Sequence, residues 1–200
     1  MTTQIGQLAK TILALGLVSL ALTACGTKSR GSQAQKNMEK PVLNPAQRSV
    51  ADSGIETKWA EQGLSWKLPP GWKKERVDRD SFNYSGPNNS FMSVNVDTQN
   101  SIAPLEKTLA YLEDDALQKQ KSGMYQNVRR IEIDGVPGIE FTEAPMKDGQ
   151  SPRIRQWRGY RRDYLDAKQE VIVMLQTNSA NFDKRIDEFT AIIYSMKAAK

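Results

Sequence analysis

Val128-Arg129-Arg130-Ile131-Glu132-Ile133-Asp134-Gly135-Val136-Pro137-Gly138-Ile139-Glu140-Phe141 is the stretch that decides the fold. Two runs suited to strands flank Asp134-Gly135, and Asp-Gly in that setting is a strong signal for a two-residue hairpin turn. The spacing predicts a strand over Val128–Ile133 and its antiparallel partner over Val136–Phe141. Toward the C-terminus, Arg153 to Asp163 and Glu170 to Thr177 read as a further pair. Val171-Ile172-Val173-Met174-Leu175 is apolar without alternation, the pattern of a central strand covered on both faces. Upstream, Leu64, Trp66 and Leu68 share one face of a strand that Pro69-Pro70-Gly71 ends. Phe82 and Tyr84 align on a strand from Ser81 to Ser85. Over Ser90 to Asp97, Met92, Val94 and Val96 alternate with Ser93, Asn95 and Asp97.

Two helical patterns interrupt and close this series. Pro104 suits a first turn, where its missing N–H is not needed. Leu105, Leu109, Leu112 and Ala116 then form one apolar stripe, and Gly123 ends it. The last helix begins near Ser179 or Asn181, both suitable N-caps. Its stripe of Phe182, Ile186, Phe189, Ile193 and Met196 must lie on the sheet. The expected fold class is α+β, an antiparallel β-sheet flanked by helices.

Leu68-Pro69-Pro70-Gly71-Trp72, the Asp134-Gly135-Val136-Pro137-Gly138 hairpin and the closing Ile193-Tyr194-Ser195-Met196-Lys197 resemble the Mog1/PsbP-like fold, in which the DcrB-type bacterial envelope lipoproteins fall. The resemblance covers residues 64 to 197 and rests on element order. Its motifs mark turns and the sheet–helix contact, so it implies a fold and transfers no catalytic residue. It implies a non-enzymatic assembly factor, accessory subunit or chaperone-like binder.

The first residues carry a different signal. Met1 to Lys10 holds one positive charge, Lys10, and Thr11 to Leu22 holds none. This is the layout of a signal peptide, too short for a spanning helix, which needs roughly 20 apolar residues to cross about 30 Å. Leu22-Thr23-Ala24-Cys25 then resembles the lipobox of a bacterial lipoprotein. That implies cleavage between Ala24 and Cys25 and a diacylglycerol on the Cys25 sulfur. Each buried methylene contributes about 0.8 kcal/mol, and a single acyl chain binds only reversibly; two or three chains make release slow. Gly26, where an aspartate would retain the protein in the inner membrane, points to the outer membrane of a Gram-negative cell. Cys25 is the one cysteine in the chain, so no intrachain disulfide is available. The segment after it is rich in Gln, Ser, Lys and Asn and lacks apolar periodicity. The expected organisation is a leader over 1–24, the lipidated cysteine with a flexible tether over 25–63, and the domain over 64–200. Trp59 is the tether residue suited to docking on the domain.

Lys and Arg number 28 against 23 Asp and Glu, a net charge of +5 spread over all three segments. No polycation results, and nucleic acid is not an expected partner. Histidine is absent, which removes the commonest general base and the commonest transition-metal ligand. No G-x-S-x-G, phosphate-binding or dinucleotide loop occurs, and no catalytic, metal or cofactor site is expected. Asp114 and Asp115 lie off the helix stripe, on a solvated face. Glu140 and Glu143 flank Phe141 on opposite sides of a strand and form no simple dyad.

The segment that stands out is Arg153, Arg155, Arg158, Arg161 and Arg162 interleaved with Trp157, Tyr160 and Tyr164. Strand alternation puts Arg153, Arg155, Trp157 and Arg161 on one face, and Arg158, Tyr160 and Arg162 on the other. Two readings follow. An exposed strip of guanidinium and aromatic groups suits an anionic envelope surface or a carboxylate-bearing protein partner. Alternatively this is an edge strand whose cations block strand addition and pair with Glu140, Glu143 and Asp163. The functional expectation is a lipid-anchored, non-catalytic binding or assembly module at the cell envelope. Alternatives are a chaperone-like binder of hydrophobic segments and an envelope hydrolase using Ser and carboxylates.

Overall fold

Asp134 and Gly135 both take positive φ, 50° and 81°, the geometry of the two-residue turn whose twist matches its flanking strands. Around it the computed structural model describes residues 38–99, 103–162 and 167–198. In chain order the elements are α1 (Pro45–Asp52), β1 (Ile55–Trp59), β2 (Leu64–Leu68), β3 (Lys73–Val77), β4 (Ser81–Gly86) and β5 (Ser90–Gln99). There follow α2 (Leu105–Lys121), β6 (Tyr125–Ile133), β7 (Val136–Glu143), β8 (Pro152–Arg162), β9 (Lys168–Asn178), α3 (Ser179–Phe182) and α4 (Ile186–Tyr194). Seven strands form one antiparallel sheet in the order β3-β4-β5-β9-β8-β7-β6, and β1 with β2 makes a separate hairpin. This is the α+β class expected.

The run at Val171–Leu175 sits on β9, at the centre of the sheet. Its coverage is a partial correction. Val171, Val173 and Leu175 are fully buried, whereas Ile172 and Met174 are only half-buried. The reason is the reach of the helices. One face of the sheet is closed by α3, α4 and the β1–β2 hairpin over a large core including Trp66, Met92, Val173, Phe189 and Ile193. On the other face α2 packs mainly on β6 and β7 and reaches Tyr160 of β8, with Leu109, Leu112 and Ala116 meeting Ile139, Phe141 and Tyr160.

The flexible tether expected through Gly63 is corrected over its described part. Asn44 caps α1 in a reciprocal box with Gln47, and Gln47 Nε2 donates to Asp187 at 2.9 Å, at the start of α4. The whole of β1 pairs with β2. Trp59 does dock, buried with its ring 5.7 Å from that of Phe82. The segment lacks periodicity because its few apolar contacts are made to residues far along the chain. Ala24 and Cys25 lie outside the described residues.

Two smaller differences concern β3 and the last helix. β3 was not expected; Lys73 to Val77 are all exposed on the sheet edge, and a bulge at Glu75 together with lysine and arginine side chains blunts that edge. The last helix is broken: α3 follows Asn178, a 3₁₀ turn spans Asp183–Arg185, and α4 resumes at Ile186. The Ser179 hydroxyl does not cap it and instead accepts from the Met146 amide at 2.9 Å. Phe182, Phe189, Ile193 and Met196 still form the buried stripe.

Gly138 on β7 lies directly opposite Gly159 on β8, and the Trp157 indole occupies the space two side chains would need. A methyl group on Gly159 would stand 2.3 Å from the indole ring, and one on Gly138 would stand 2.6 Å from its nitrogen. Gly159→Ala is therefore expected to destabilise the domain by about 2–3 kcal/mol through forced repacking. A urea midpoint unchanged from wild type would contradict this seating of Trp157.

Candidate functional site

Strand alternation on β8 places Arg153, Arg155, Trp157 and Arg161 on the face that α4 covers, so all four are buried. The exposed-strip expectation is thereby corrected, and so is the edge-strand one: β8 lies between β9 and β7. Pairing with nearby acids does hold. Arg153 donates to the Glu143 carbonyl at 2.8 Å and to Asp183 at 2.9 Å, and its guanidinium lies 4.2 Å from the Phe182 ring centroid. Arg161 donates to the carbonyls of Ala198 at 2.7 Å and Gln62 at 2.5 Å. On the opposite face, Arg158 and the Tyr160 hydroxyl both reach Glu170, at 2.5 and 2.7 Å. Arg162 is exposed. Asp163 and Tyr164 lie outside the described residues.

Arg155 belongs to the arrangement with the most chemical content. Its Nε donates to Glu140 Oε1 at 2.8 Å, Nη1 to Thr190 Oγ1 at 2.5 Å, and Nη2 to the Tyr194 hydroxyl at 3.0 Å. From β6, Arg129 donates to the other oxygen of Glu140 at 2.5 Å. The Tyr194 hydroxyl donates to that same oxygen at 3.0 Å. The buried Glu140 carboxylate thus sits between two guanidinium groups and a phenol. Above it lies a cleft of about 370 Å³, walled by Glu39, Asn127, Arg129, Thr142, Ile186 and Tyr194 among others. Glu39 closes the arrangement with an ion pair to Arg129 Nη1 at 3.0 Å.

Burial pushes the Tyr194 hydroxyl up to about 12, and the negative charge of Glu140 adds to the effect. Burial works against the Arg129 charge, but Glu140 more than offsets it and raises that pKa. The cluster therefore joins the guanidinium groups of Arg129 and Arg155 and the carboxyl groups of Glu39 and Glu140 to a phenol that keeps its proton at neutral pH. Each charged group of the floor is held by another, which makes a fixed hydrogen-bonding surface. Among the described residues no group of three Asp, Glu, His or Cys stands close enough together to hold a metal ion. Asp115 pairs with Lys119 at 2.7 Å, while Glu143 accepts from the Ile154 amide at 3.0 Å, apart from the Glu140 cluster.

Sequence reasoning missed Glu39, Arg129, Thr190 and Tyr194. One of them had a usable signal. A two-residue turn at Asp134-Gly135 fixes the hairpin register, and that register puts Arg129 directly opposite Glu140. Glu39 and the two α4 residues depend on tertiary packing and had none.

Glu140→Gln would leave two buried or half-buried guanidinium groups without their carboxylate, and a cost of about 3–5 kcal/mol is expected. Combining it with Arg155→Met should recover part of that loss, as read in denaturant unfolding. The pH dependence follows from Tyr194. The folded state holds its proton more tightly than the unfolded chain does, so this contribution is complete below about pH 10 and is lost as the pH rises toward 12. Tyr194→Phe should flatten that alkaline decline in unfolding free energy; a slope equal to wild type would contradict the buried phenol.

No protein-family model matches the sequence, and no characterised protein matches it at the sequence level. Solved structures do. LpqN of Mycobacterium tuberculosis, a protein involved in cell envelope biogenesis, is similar at 9% identity and a TM-score of 0.50, over 78% of this chain and 98% of LpqN. The cyanobacterial PsbP (CyanoP) of Synechocystis is similar at 11% identity and a TM-score of 0.49, over 72% of this chain and 92% of CyanoP. The Ran-binding protein Mog1p of Saccharomyces cerevisiae follows at 10% and 0.44, over 72% and 95%. A Bacteroides thetaiotaomicron protein that also matches is longer, and the chain spans 49% of it. The likeness to LpqN is one of fold: an antiparallel sheet flanked by helices.

Proposed function

We propose that the chain is a lipid-anchored binding or assembly module of the bacterial cell envelope that performs no chemistry of its own. The observation that carries this reading is the floor of the cleft. Arg129, Glu140, Arg155 and Tyr194 are locked into one mutually satisfied cluster, which suits recognition and leaves nothing there to abstract a proton or attack a substrate. The anchor is supported by Leu22-Thr23-Ala24-Cys25 and the uncharged run before it. No helix among the described residues is long and apolar enough to cross a membrane; in this reading the attachment is the lipid on Cys25. Gly26 favours the outer membrane where there are two. The involvement of LpqN in cell envelope biogenesis agrees with this placement.

The alternatives have less support. Among the described residues the large exposed apolar side chains are Val42, Ile55, Val77, Tyr111, Met124 and Met146, each on a different segment of the chain. Serine–carboxylate contacts such as Ser81 with Asp78 and Ser151 with Asp148 are exposed and local in sequence.

Fractionation of cells expressing Cys25→Ala tests the anchored reading. The variant is expected in the soluble fraction while wild type sediments with membranes. Membrane association unchanged by the substitution would refute it.

A further inference from the structure

The cleft is closed along one rim by the chain's own residues 38–43, and that rim is built as a short strand bearing an acid. Glu39 makes a parallel bridge to Ile131 on the outer edge of β6. Its amide donates to the Arg130 carbonyl at 3.1 Å, and its carbonyl accepts from the Glu132 amide at 2.8 Å. Side chains alternate as they do on a strand. The Glu39 carboxylate meets Arg129 in the cleft at 3.0 Å, while Lys40 meets Glu132 on the opposite face at 3.0 Å. Pairing stops at Pro41, which has no amide hydrogen to donate. One bridge, two ion pairs with exposed partners (Glu39 is 50% and Lys40 76% exposed at the side chain) and the half-buried Met38, Pro41 and Leu43 hold this segment to the edge.

We propose that residues 38–43 are an exchangeable strap, and that the groove they fill is the docking site for an extended, carboxylate-bearing segment of a partner protein. This rests on the reading of the chain as a binding module and adds the place and the chemistry. The strap is the template for its replacement. An incoming strand would take over the backbone bonds to Arg130 and Glu132. Its acid would take over Arg129, whose planar guanidinium suits a carboxylate. With Glu39 lifted away, Arg129 and Arg155 share the single carboxylate of Glu140, so the cleft is left with a net positive charge. A partner with any residue but proline two positions after its acid has an amide to donate to the Glu132 carbonyl, the next bond of a parallel ladder before β6 ends at Ile133 and one that Pro41 denies the strap.

The test uses the full chain in detergent and fluorescence anisotropy of a labelled peptide of about seven residues, alternating Val and Thr around one central Glu, beside its Gln analogue. Glu39→Lys releases the strap by placing a cation against Arg129. The Glu peptide is expected to bind this variant about tenfold or more tightly than it binds wild type, and about tenfold or more tightly than the Gln peptide binds it, the scale of a charge-assisted hydrogen bond. Arg129→Gln in the same background should make the two peptides equal. Hydrogen exchange at the Glu132 amide is a second readout: faster in Glu39→Lys, slowed again by the Glu peptide. Equal affinity for wild type and Glu39→Lys, or no discrimination between Glu and Gln, overturns the strap. Anionic phospholipid vesicles that bind the variant and displace the peptide at matched charge overturn the peptide assignment in favour of a headgroup. Membrane release by Cys25→Ala is measured separately, so failure here leaves the anchored module standing.

Discussion

The register that buries Trp157 dictates much of the rest of the structure. On β8 the side-chain period of two places Arg153, Arg155 and Arg161 on the same face as that indole. Three guanidinium groups are thereby committed to a layer closed by α4, where an uncompensated charge costs several kcal/mol. The compensation comes from distant parts of the chain. Glu140 is supplied by the neighbouring strand, Asp183 by the turn before α4, and the carbonyls of Gln62 and Ala198 by the two ends of the described domain. Arg161 alone ties residue 62 to residue 198, so satisfying one buried cation also fastens the N-terminal hairpin to the C-terminal segment. The antiparallel bridge between Ser65 and Lys197 reinforces that closure.

This explains which parts of the architecture could be read in the sequence. The Asp134-Gly135 hairpin, the alternation over Met92, Val94 and Val96, and the stripes on α2 and α4 are local patterns, and each element formed where its pattern stood. The position of a strand in a sheet is not local. Five arginines on β8 read as an edge or an exposed strip because cations are usually solvated. Arg153, Arg155 and Arg158 instead pair with Asp183, Glu140 and Glu170, which topology brings to them. The segment 38–63 failed for the same reason. Asn44 and Gln47 form a capping box that was present in the sequence, but an eight-residue helix is not stable on its own. It exists because α4 receives it, and Asp187, which bonds Gln47, lies 140 residues away.

The cleft inherits its character from these constraints. Glu140 is placed to neutralise Arg155, and Arg129 faces it because the hairpin register allows nothing else. Tyr194 and Thr190 come from α4, the helix that must cover this face. A site assembled by the demands of burial has the polar groups of its base paired with one another, and its more exposed polar groups, such as Glu39, stand at the rim. Such a surface presents a fixed arrangement of charge and shape, set by the same contacts that hold the fold together.

The two edges of the sheet are treated differently, and the difference locates where another chain could join. β3 ends the sheet with exposed lysines, an arginine and a bulge, each of which obstructs regular pairing. β6 carries its bulge near its start, at Gln126, and pairs regularly over Ile131 and Ile133, which are buried. Its edge is instead covered by Glu39 and, near its start, by Gln120 donating to the Gln126 carbonyl at 3.1 Å. Charge and a bulge make an edge unattractive to any strand. A covering segment makes it unavailable only while the segment stays in place. The protection of β6 is therefore an equilibrium and that of β3 is not, and the reversible edge is the one that borders the arginine cleft.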